Sequence, residues 1–367
     1  MTSTSSDRPT IIAGVDTHAS THRCVVIDRR GQLLADREFP ATTTGYTQML
    51  TWIRGHGHLQ AVGVEGTGSY GAGLARHLHT KNITVLEVPR PDRWLRRQRG
   101  KSDPIDAESA ARTVLAGNAS GAPKHGDGPI EAIRVLRVTR TGALKAKTAA
   151  INTLRTIVLT APDQLREQLR HHKRAQLIRT CQQLRPDTTN TADPAQAVKV
   201  ALRSLAHRIG TLDQEATALH TQINALTETT APTTSALFAL GPDTVSALLI
   251  AIGDNPDRLR SEAAFARLCG VAPIPASSGK TTRHRLHRGG DRTANRALHR
   301  AIIVRLRYHP GARAYAARRT TEGLSMPEII RCQKRYLARE VFTALRADYT
   351  KITPAEFEMI YTTAEAA

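Results

Sequence analysis

The chain has 367 residues, with 52 Lys and Arg against 32 Asp and Glu, which gives a formal net charge of +20 and a sequence pI near 10.6. That excess fits a polyanionic partner, because each neutralised phosphate releases condensed counterions. No apolar run nears the roughly 20 residues that span a bilayer, and Met1–Thr10 is polar with no signal-peptide core, so the expectation is a cytoplasmic protein that acts on nucleic acid and has no membrane partner.

In chain order, residues 1–10 are expected as a disordered polar tail. The runs 11–16, 23–28 and 33–39, with a turn at Arg29-Arg30-Gly31-Gln32, predict a three-stranded antiparallel meander. A helix over 44–55, a strand over 61–65, a helix over 69–80 and a strand over 83–88 follow. Gly66 and Gly68 lack the spacing of a nucleotide-binding loop and read as a tight strand-to-helix turn. Hairpins followed by β-α-β units make residues 11–118 an α/β domain.

Two of these strands end in an acid: Ile11-Ile12-Ala13-Gly14-Val15-Asp16 and Ala61-Val62-Gly63-Val64-Glu65. A carboxylate at the end of a buried strand is costly unless it is paired or bound to a metal. In Gly100-Lys101-Ser102-Asp103-Pro104-Ile105-Asp106-Ala107, two more acids stand three residues apart at the start of a helix, on one face. Pro104 fits the first helical turn. Such acids also serve as helix caps and dipole partners. Asp16 and Glu65 turn the pair into four oxygen ligands, a set suited to a hard divalent cation such as magnesium, Mg2+. Just upstream, Arg96, Arg97, Arg99 and Lys101 offer a nucleic-acid-binding surface beside that site.

Ala119–Pro129 is rich in Gly and Pro and reads as a linker. Residues 130–229 read as a helical, coiled-coil region, with basic helices over 130–159 and 162–184 and a break at 186–194. Within it Val198, Leu202, Leu205, Ile209, Leu212, Ala216, Leu219, Ile223 and Leu226 recur with alternating steps of four and three, the period of a coiled coil. The same seam serves a helix packed within its own domain. After a Thr/Pro run at 229–234, residues 235–350 read as a mainly helical domain whose Leu240-Gly241-Pro242 start resembles a helix-hairpin-helix. Its loop Ala276-Ser277-Ser278-Gly279-Lys280 leads into Arg283, Arg285, Arg288 and Arg292, an anion-binding turn on its face. Cys24, Cys181, Cys269 and Cys332 form no Cys-x-x-Cys pair, and His171, His172, His284 and His287 lie among arginines, so neither a zinc site nor a disulfide framework is indicated.

Gly14-Val15-Asp16-Thr17-His18, Val64-Glu65-Gly66-Thr67-Gly68-Ser69-Tyr70 and Lys101-Ser102-Asp103-Pro104-Ile105-Asp106-Ala107 resemble the N-terminal motifs of the DEDD transposases of insertion sequences, the Piv/MooV or insertion-sequence one-ten family. Pro273 to Arg292 is similar to the serine-bearing block of their C-terminal domain. The resemblance implies a RuvC-like ribonuclease H fold in which Asp16 and Glu65 are neighbours, with Asp16, Glu65, Asp103 and Asp106 as catalytic metal ligands. It places the nucleophile at Ser278, with Ser277 as competitor because the duplicate serine lets the register slip by one. It also implies DNA as donor and target, a structured guide RNA, and a homo-oligomer, dimer or tetramer, whose acidic site is completed by the serine domain of another subunit. A RuvC-like junction nuclease that hydrolyses with water, and a non-enzymatic basic DNA-organising protein, are the rival expectations.

Overall fold

Residue parity along the first strand sets up the layers of the amino-terminal unit. In the computed structural model, which describes residues 8–89, 103–119, 121–277 and 284–351, five strands form one sheet in the order β3-β2-β1-β4-β5. They are β1 (Thr10–Thr17), β2 (Thr21–Asp28), β3 (Leu33–Pro40), β4 (His58–Glu65) and β5 (Val85–Val88). The first three pair antiparallel, whereas β4 runs parallel to β1 and β5 parallel to β4.

Successive side chains on a strand point to opposite faces. Ile11, Ala13 and Val15 therefore pack against α1 (Thr43–Gly55) and α2 (Ala72–Thr80), through Met49, Ile53, Leu74 and Leu78. Ile12, Ala61, Val25 and Ile27 face the other way and meet α3 (Asp103–Leu115) through Ala107, Ala110, Ala111 and Val114. With both faces covered, the central strands read as unbroken apolar runs. The edge strand β3 instead carries Asp36, Arg37 and Glu38, charges that discourage further pairing.

Helix α2 starts at Ala72, three residues later than expected. Gly66 adopts φ +69° and its carbonyl accepts from the amides of Ser69 and Gly71, so residues 66–71 form a turn of their own. The Pro/Gly-rich stretch after α3 is not a free linker. The Glu87 amide donates to the Gly121 carbonyl at 2.8 Å, the buried Asn255 donates Nδ2 to the Pro123 carbonyl at 2.9 Å, and Arg258 donates to the Ala122 carbonyl. Residues 252–260 belong to this unit together with residues up to Gly128, and Pro129 already lies in the next helix, where a missing N–H costs nothing.

The second unit comprises residues 129–251 and those from Ser261 onward. Helix α4 (Pro129–Leu159) runs antiparallel to α7 (Pro194–Thr230): Ala150, Leu154 and Val158 of the one meet Leu202, Ala206 and Ile209 of the other. Helices α5 (Asp163–Leu169) and α6 (Arg174–Gln182) close that core with Leu165, Leu169, Leu177 and Cys181. The sequence pattern predicts one helix here. It is broken within Arg170-His171-His172-Lys173-Arg174, where stacked like charges disfavour a continuous turn.

The heptad pattern of α7 splits into two columns. Leu202, Ile209, Ala216 and Ile223 are buried, while Leu205, Leu212, Leu219 and Leu226 stay half-buried. The Thr/Pro run that follows is a buried joint rather than a linker. Its short helix α8 (Pro232–Ser235) is held by Asp348, which accepts from the Thr233 amide at 2.7 Å, the Thr234 amide at 2.9 Å and the Thr234 hydroxyl at 2.6 Å.

Helix α9 (Pro242–Ile252) begins after Gly241 as expected, but residues 253–261 separate it from α10 (Glu262–Leu268), so the turn is not a tight hairpin. Arg137 donates to the Asp243 carbonyl at 2.6 Å and to Ser246 Oγ, and Arg140 pairs with Asp243 at 3.1 Å. Two cations of the basic helix α4 are thus engaged in holding α9. Strands β6 (Ile274–Pro275) and β7 (His284–Arg285) and helices α11 (Arg292–Tyr308), α12 (Pro310–Thr321) and α13 (Met326–Lys351), which carries Asp348, complete the unit. Among the described residues, no helix is long and apolar enough to cross a membrane.

Candidate metal centre and serine hairpin

The parity that sends Ile12 and Ala61 towards α3 sends Asp16 and Glu65 to the same side, four residues further along β1 and β4. The two acids lie one step beyond the paired Val15 and Val64. Helix α3 comes close enough to cover them because Gly14 has no side chain: a Cβ there would stand 2.2 Å from the Ala107 carbonyl oxygen and from the Ala111 nitrogen. The first turn of α3 is thereby brought to the ends of the strands, and Thr17 Oγ1 ties those ends together by donating to the Glu65 carbonyl at 2.9 Å.

Asp16, Glu65 and Asp106 are 9%, 8% and 7% exposed, while Asp103 stands half in solvent. His18 Nε2 lies 3.2 Å from Asp16 Oδ2 and 3.4 Å from Asp103 Oδ1, and one ligating atom from each of the three falls within 4.8 Å of the others. Burial pushes the Asp16 carboxyl above the usual carboxylate range. His18 opposes that shift, Asp106 and Asp103 add to it by like-charge repulsion, and the Thr17 amide lowers it slightly. A desolvated acid facing two more acids and a ring nitrogen is the donor set a divalent cation neutralises, and oxygen-rich ligation suits a hard ion.

His18 is absent from the ligand set read in the sequence. The available signal was its position two residues after Asp16, the period that keeps neighbours on one side of an extended chain. The cationic residues Arg96, Arg97, Arg99 and Lys101 lie outside the described residues, as do Ser278, Lys280 and Arg283.

In the second unit, β6 and β7 pair antiparallel as the arms of a hairpin, Ile274 with Arg285 and Pro275 with His284. Ser277 is exposed on it, and Arg285, Arg288 and Arg292 are exposed beyond it. The base is rigidly fixed. Gly270 turns with φ +64°, a Cβ on Gly290 would stand 2.2 Å from the Gly270 nitrogen, and Asn295 Nδ2 donates to the Cys269 and Gly270 carbonyls at 3.0 and 2.9 Å. Burial raises the Cys24 and Cys269 thiols far above their ordinary range and takes Cys181 up to about 11, so these three are inert core groups.

Comparison with known proteins gives matches in two stretches of the chain. A transposase family model of the DEDD type, drawn from the insertion sequence IS110, matches residues 13–161, and one described as the transposase IS116/IS110/IS902 family matches residues 235–317. The chain is also 29% identical over 166 residues to the insertion element IS110 uncharacterized 43.6 kDa protein of Streptomyces coelicolor. That overlap covers 44% of this chain and 40% of the relative, less than half of either. The first match contains Asp16, Glu65, Asp103 and Asp106, and the second contains Ser277 and Ser278. Both stretches are thus similar to DEDD transposases of the IS110 type.

Proposed function

We propose that the protein is an insertion-sequence transposase that breaks and rejoins DNA strands with a divalent metal ion bound where β1, β4 and the start of α3 meet. The observation that carries this reading is the gathering of Asp16, Asp103 and His18 around one point, with Asp106 and Glu65 buried beside them. The strand order β3-β2-β1-β4-β5, three antiparallel strands followed by two parallel ones, supports a ribonuclease H-like, RuvC-like sheet as the scaffold.

Asp16, Glu65, Asp103 and Asp106 would hold Mg2+ or a similar ion, with His18 as a further donor. When bound, such an ion supplies electrostatic stabilisation to a phosphate under attack. The protein residues do the rest. The paired strands hold Asp16 and Glu65 at fixed spacing, α3 keeps Asp16 and Asp106 largely out of water while Asp103 stays half exposed, and the exposed arginines after the hairpin hold the DNA backbone.

Ser278 is the nucleophile in this reading. Its Oγ forms a bond to phosphorus as the bond from phosphorus to the leaving sugar oxygen breaks; the hydroxyl proton passes to a base and the leaving oxygen acquires one. The phosphoserine link conserves the phosphodiester for rejoining. Long basic helices suit a structured guide RNA, and the half-buried leucine column of α7 suits a homo-oligomeric coiled coil.

A labelled-DNA assay tests the reading. A metal-dependent, protease-sensitive adduct stable to denaturant is expected, lost in Ser278→Ala and in Asp16→Asn and kept in Ser277→Ala. The reverse serine pattern shifts the nucleophile by one residue. Metal-dependent cleavage with no adduct at any stage would replace the serine by water, and neither cleavage nor adduct would leave a DNA-organising protein.

A further inference from the structure

The second unit contains a cavity of about 710 Å3 between the β6–β7 hairpin and α13, within the roughly 300–1,000 Å3 range of ligand pockets. Five cationic side chains line it: Arg285, Arg319, Arg331, Lys334 and Arg335. Three are offset by acids: Arg319 pairs with Glu322, Arg331 with Glu328 at 3.7 Å, and Arg335 with Glu262. Among the described residues, Arg285 and Lys334 make no ion pair.

Lys334 is the unusual member, because it is only 6% exposed. Its Nζ donates to Asn295 Oδ1 at 3.0 Å, which uses one of three N–H donors on a neutral acceptor. Burial and the neighbouring Arg331 both lower its pKa. A buried ammonium without a counter-ion is costly, and a ligand anion in the cavity would supply one. The same wall holds Tyr336, half-exposed, its ring kept edge-on by Tyr315 at 5.7 Å and 86°. A cationic recess with a braced aromatic ring and the apolar Leu324 and Val271 beside it matches the chemistry of one unstacked nucleotide, whose base needs a flat apolar partner and whose phosphate needs charge.

We infer that this cavity holds a single unstacked nucleotide of a DNA strand, with its phosphate on Lys334 and Arg285 and its base against Tyr336. The inference rests on the reading of the protein as a DNA-handling enzyme, and it adds a site that neither the acids nor the serine supplies. Asn295 links the two halves of this arrangement, since its amide nitrogen fixes the Gly270 turn at the hairpin base while its oxygen holds Lys334. Occupation of the cavity is thereby tied to the position of the hairpin arms, the first of which leads out to Ser277.

The test uses the full-length protein in a chelator, so that no cleavage is required. A short single-stranded oligonucleotide carrying 5-iodouracil is cross-linked by light, and its affinity is followed by fluorescence anisotropy against salt. The expected adduct lies on Tyr336, and Lys334→Met and the exposed Arg285→Gln each weaken binding about tenfold and lower the salt slope by about 0.7. Tyr336→Phe retains the affinity and Tyr336→Ala loses it. Arg285→Gln keeps the test decisive if Lys334→Met fails to fold. Duplex DNA and single-stranded RNA of the same sequence form parallel arms. A preference for RNA would reassign the nucleotide to an RNA strand and overturn the DNA assignment. Normal duplex binding with no Tyr336 adduct and no effect of Arg285→Gln would overturn the cavity alone, and failure to bind any nucleic acid would overturn the DNA-handling reading with it.

Discussion

Gly14 of β1 and Gly63 of β4 are direct partners across the parallel strand pair, and both lie beneath α3. A Cβ on Gly14 would meet the Ala107 carbonyl oxygen at 2.2 Å, and one on Gly63 would meet Val114 Cγ2 at 2.6 Å and the Ala110 carbonyl oxygen at 2.9 Å. The two glycines form a flat pad on which the helix carrying Asp103 and Asp106 rests. Gly14→Ala presses against backbone that cannot swing aside and is expected to cost about 1–3 kcal/mol, together with a loss of divalent-metal affinity as α3 lifts. Denaturant unfolding and calorimetric metal titration of the variant check both effects; unchanged metal affinity would show that α3 does not position the site.

Asp16 is a stability liability at neutral pH. Its folded pKa lies above the ordinary 3.8, so the folded chain holds that proton more tightly than the unfolded chain. The associated stability is complete below about pH 3.8 and is lost as pH rises through the folded value. Asp16→Asn removes that loss and is expected to raise the melting temperature at pH 7 by about 2–4 °C, while abolishing the stabilisation that added Mg2+ or Mn2+ gives the wild type. Thermal melts of both proteins with and without metal decide it: an equal metal-induced rise in the two would remove Asp16 from the ligand set.

His22 behaves in the opposite sense. It is fully buried, stacked on Tyr46 at 5.6 Å, and burial lowers its pKa below the ordinary 6.5. Its contribution to stability is present above pH 6.5 and falls as the solution is acidified through that value towards the folded pKa, because the unfolded chain then takes up the proton first. His22→Phe should flatten the stability profile between pH 6.5 and the folded value. An unaltered acid limb in equilibrium unfolding would assign the loss to other groups.

Asp348 closes the joint after α7 through three donors on Thr233 and Thr234. Asp348→Ala strands buried N–H groups and is expected to cost about 3 kcal/mol or more, with Asp348→Asn intermediate. Equal unfolding midpoints for Asp348→Ala and the wild type would show that water replaces the carboxylate there.

The half-buried column of α7 offers a test of assembly. Replacing Leu212 and Leu219 by Asp puts charge on a face that its own hairpin does not cover fully. Light scattering should then report a smaller species while circular dichroism keeps its helical signal; an unchanged oligomer would limit the seam to packing within the chain.

The sequence revealed what repeats. The central strands show as short unbroken apolar runs, the spacing of Asp103 and Asp106 and the seam of α7 show as helical repeats, and each falls in an element of the expected type. What it concealed has no period. The burial of Thr234 depends on an acid 114 residues away, and the pinning of residues 121–128 depends on Asn255 and Arg258. His18 acquires its meaning only when Asp103 arrives from another element. Composition misled where it was taken to mark a linker: Pro, Gly and Thr mark chain that lacks repeating hydrogen bonds, and such chain can still be tied down residue by residue.

The return of residues 252–260 to the first unit has a practical meaning for anyone who would cut the protein apart. The chain passes between units after Gly128, after Ala251 and after Arg260, so neither half is encoded by an uninterrupted stretch. A fragment ending at Gly128 would lack the side chains that satisfy the Pro123 and Ala122 carbonyls. Exchanging the nuclease-like half with a relative's would require two inserts rather than one. A cut at any one point in the chain therefore separates neither half cleanly from the other.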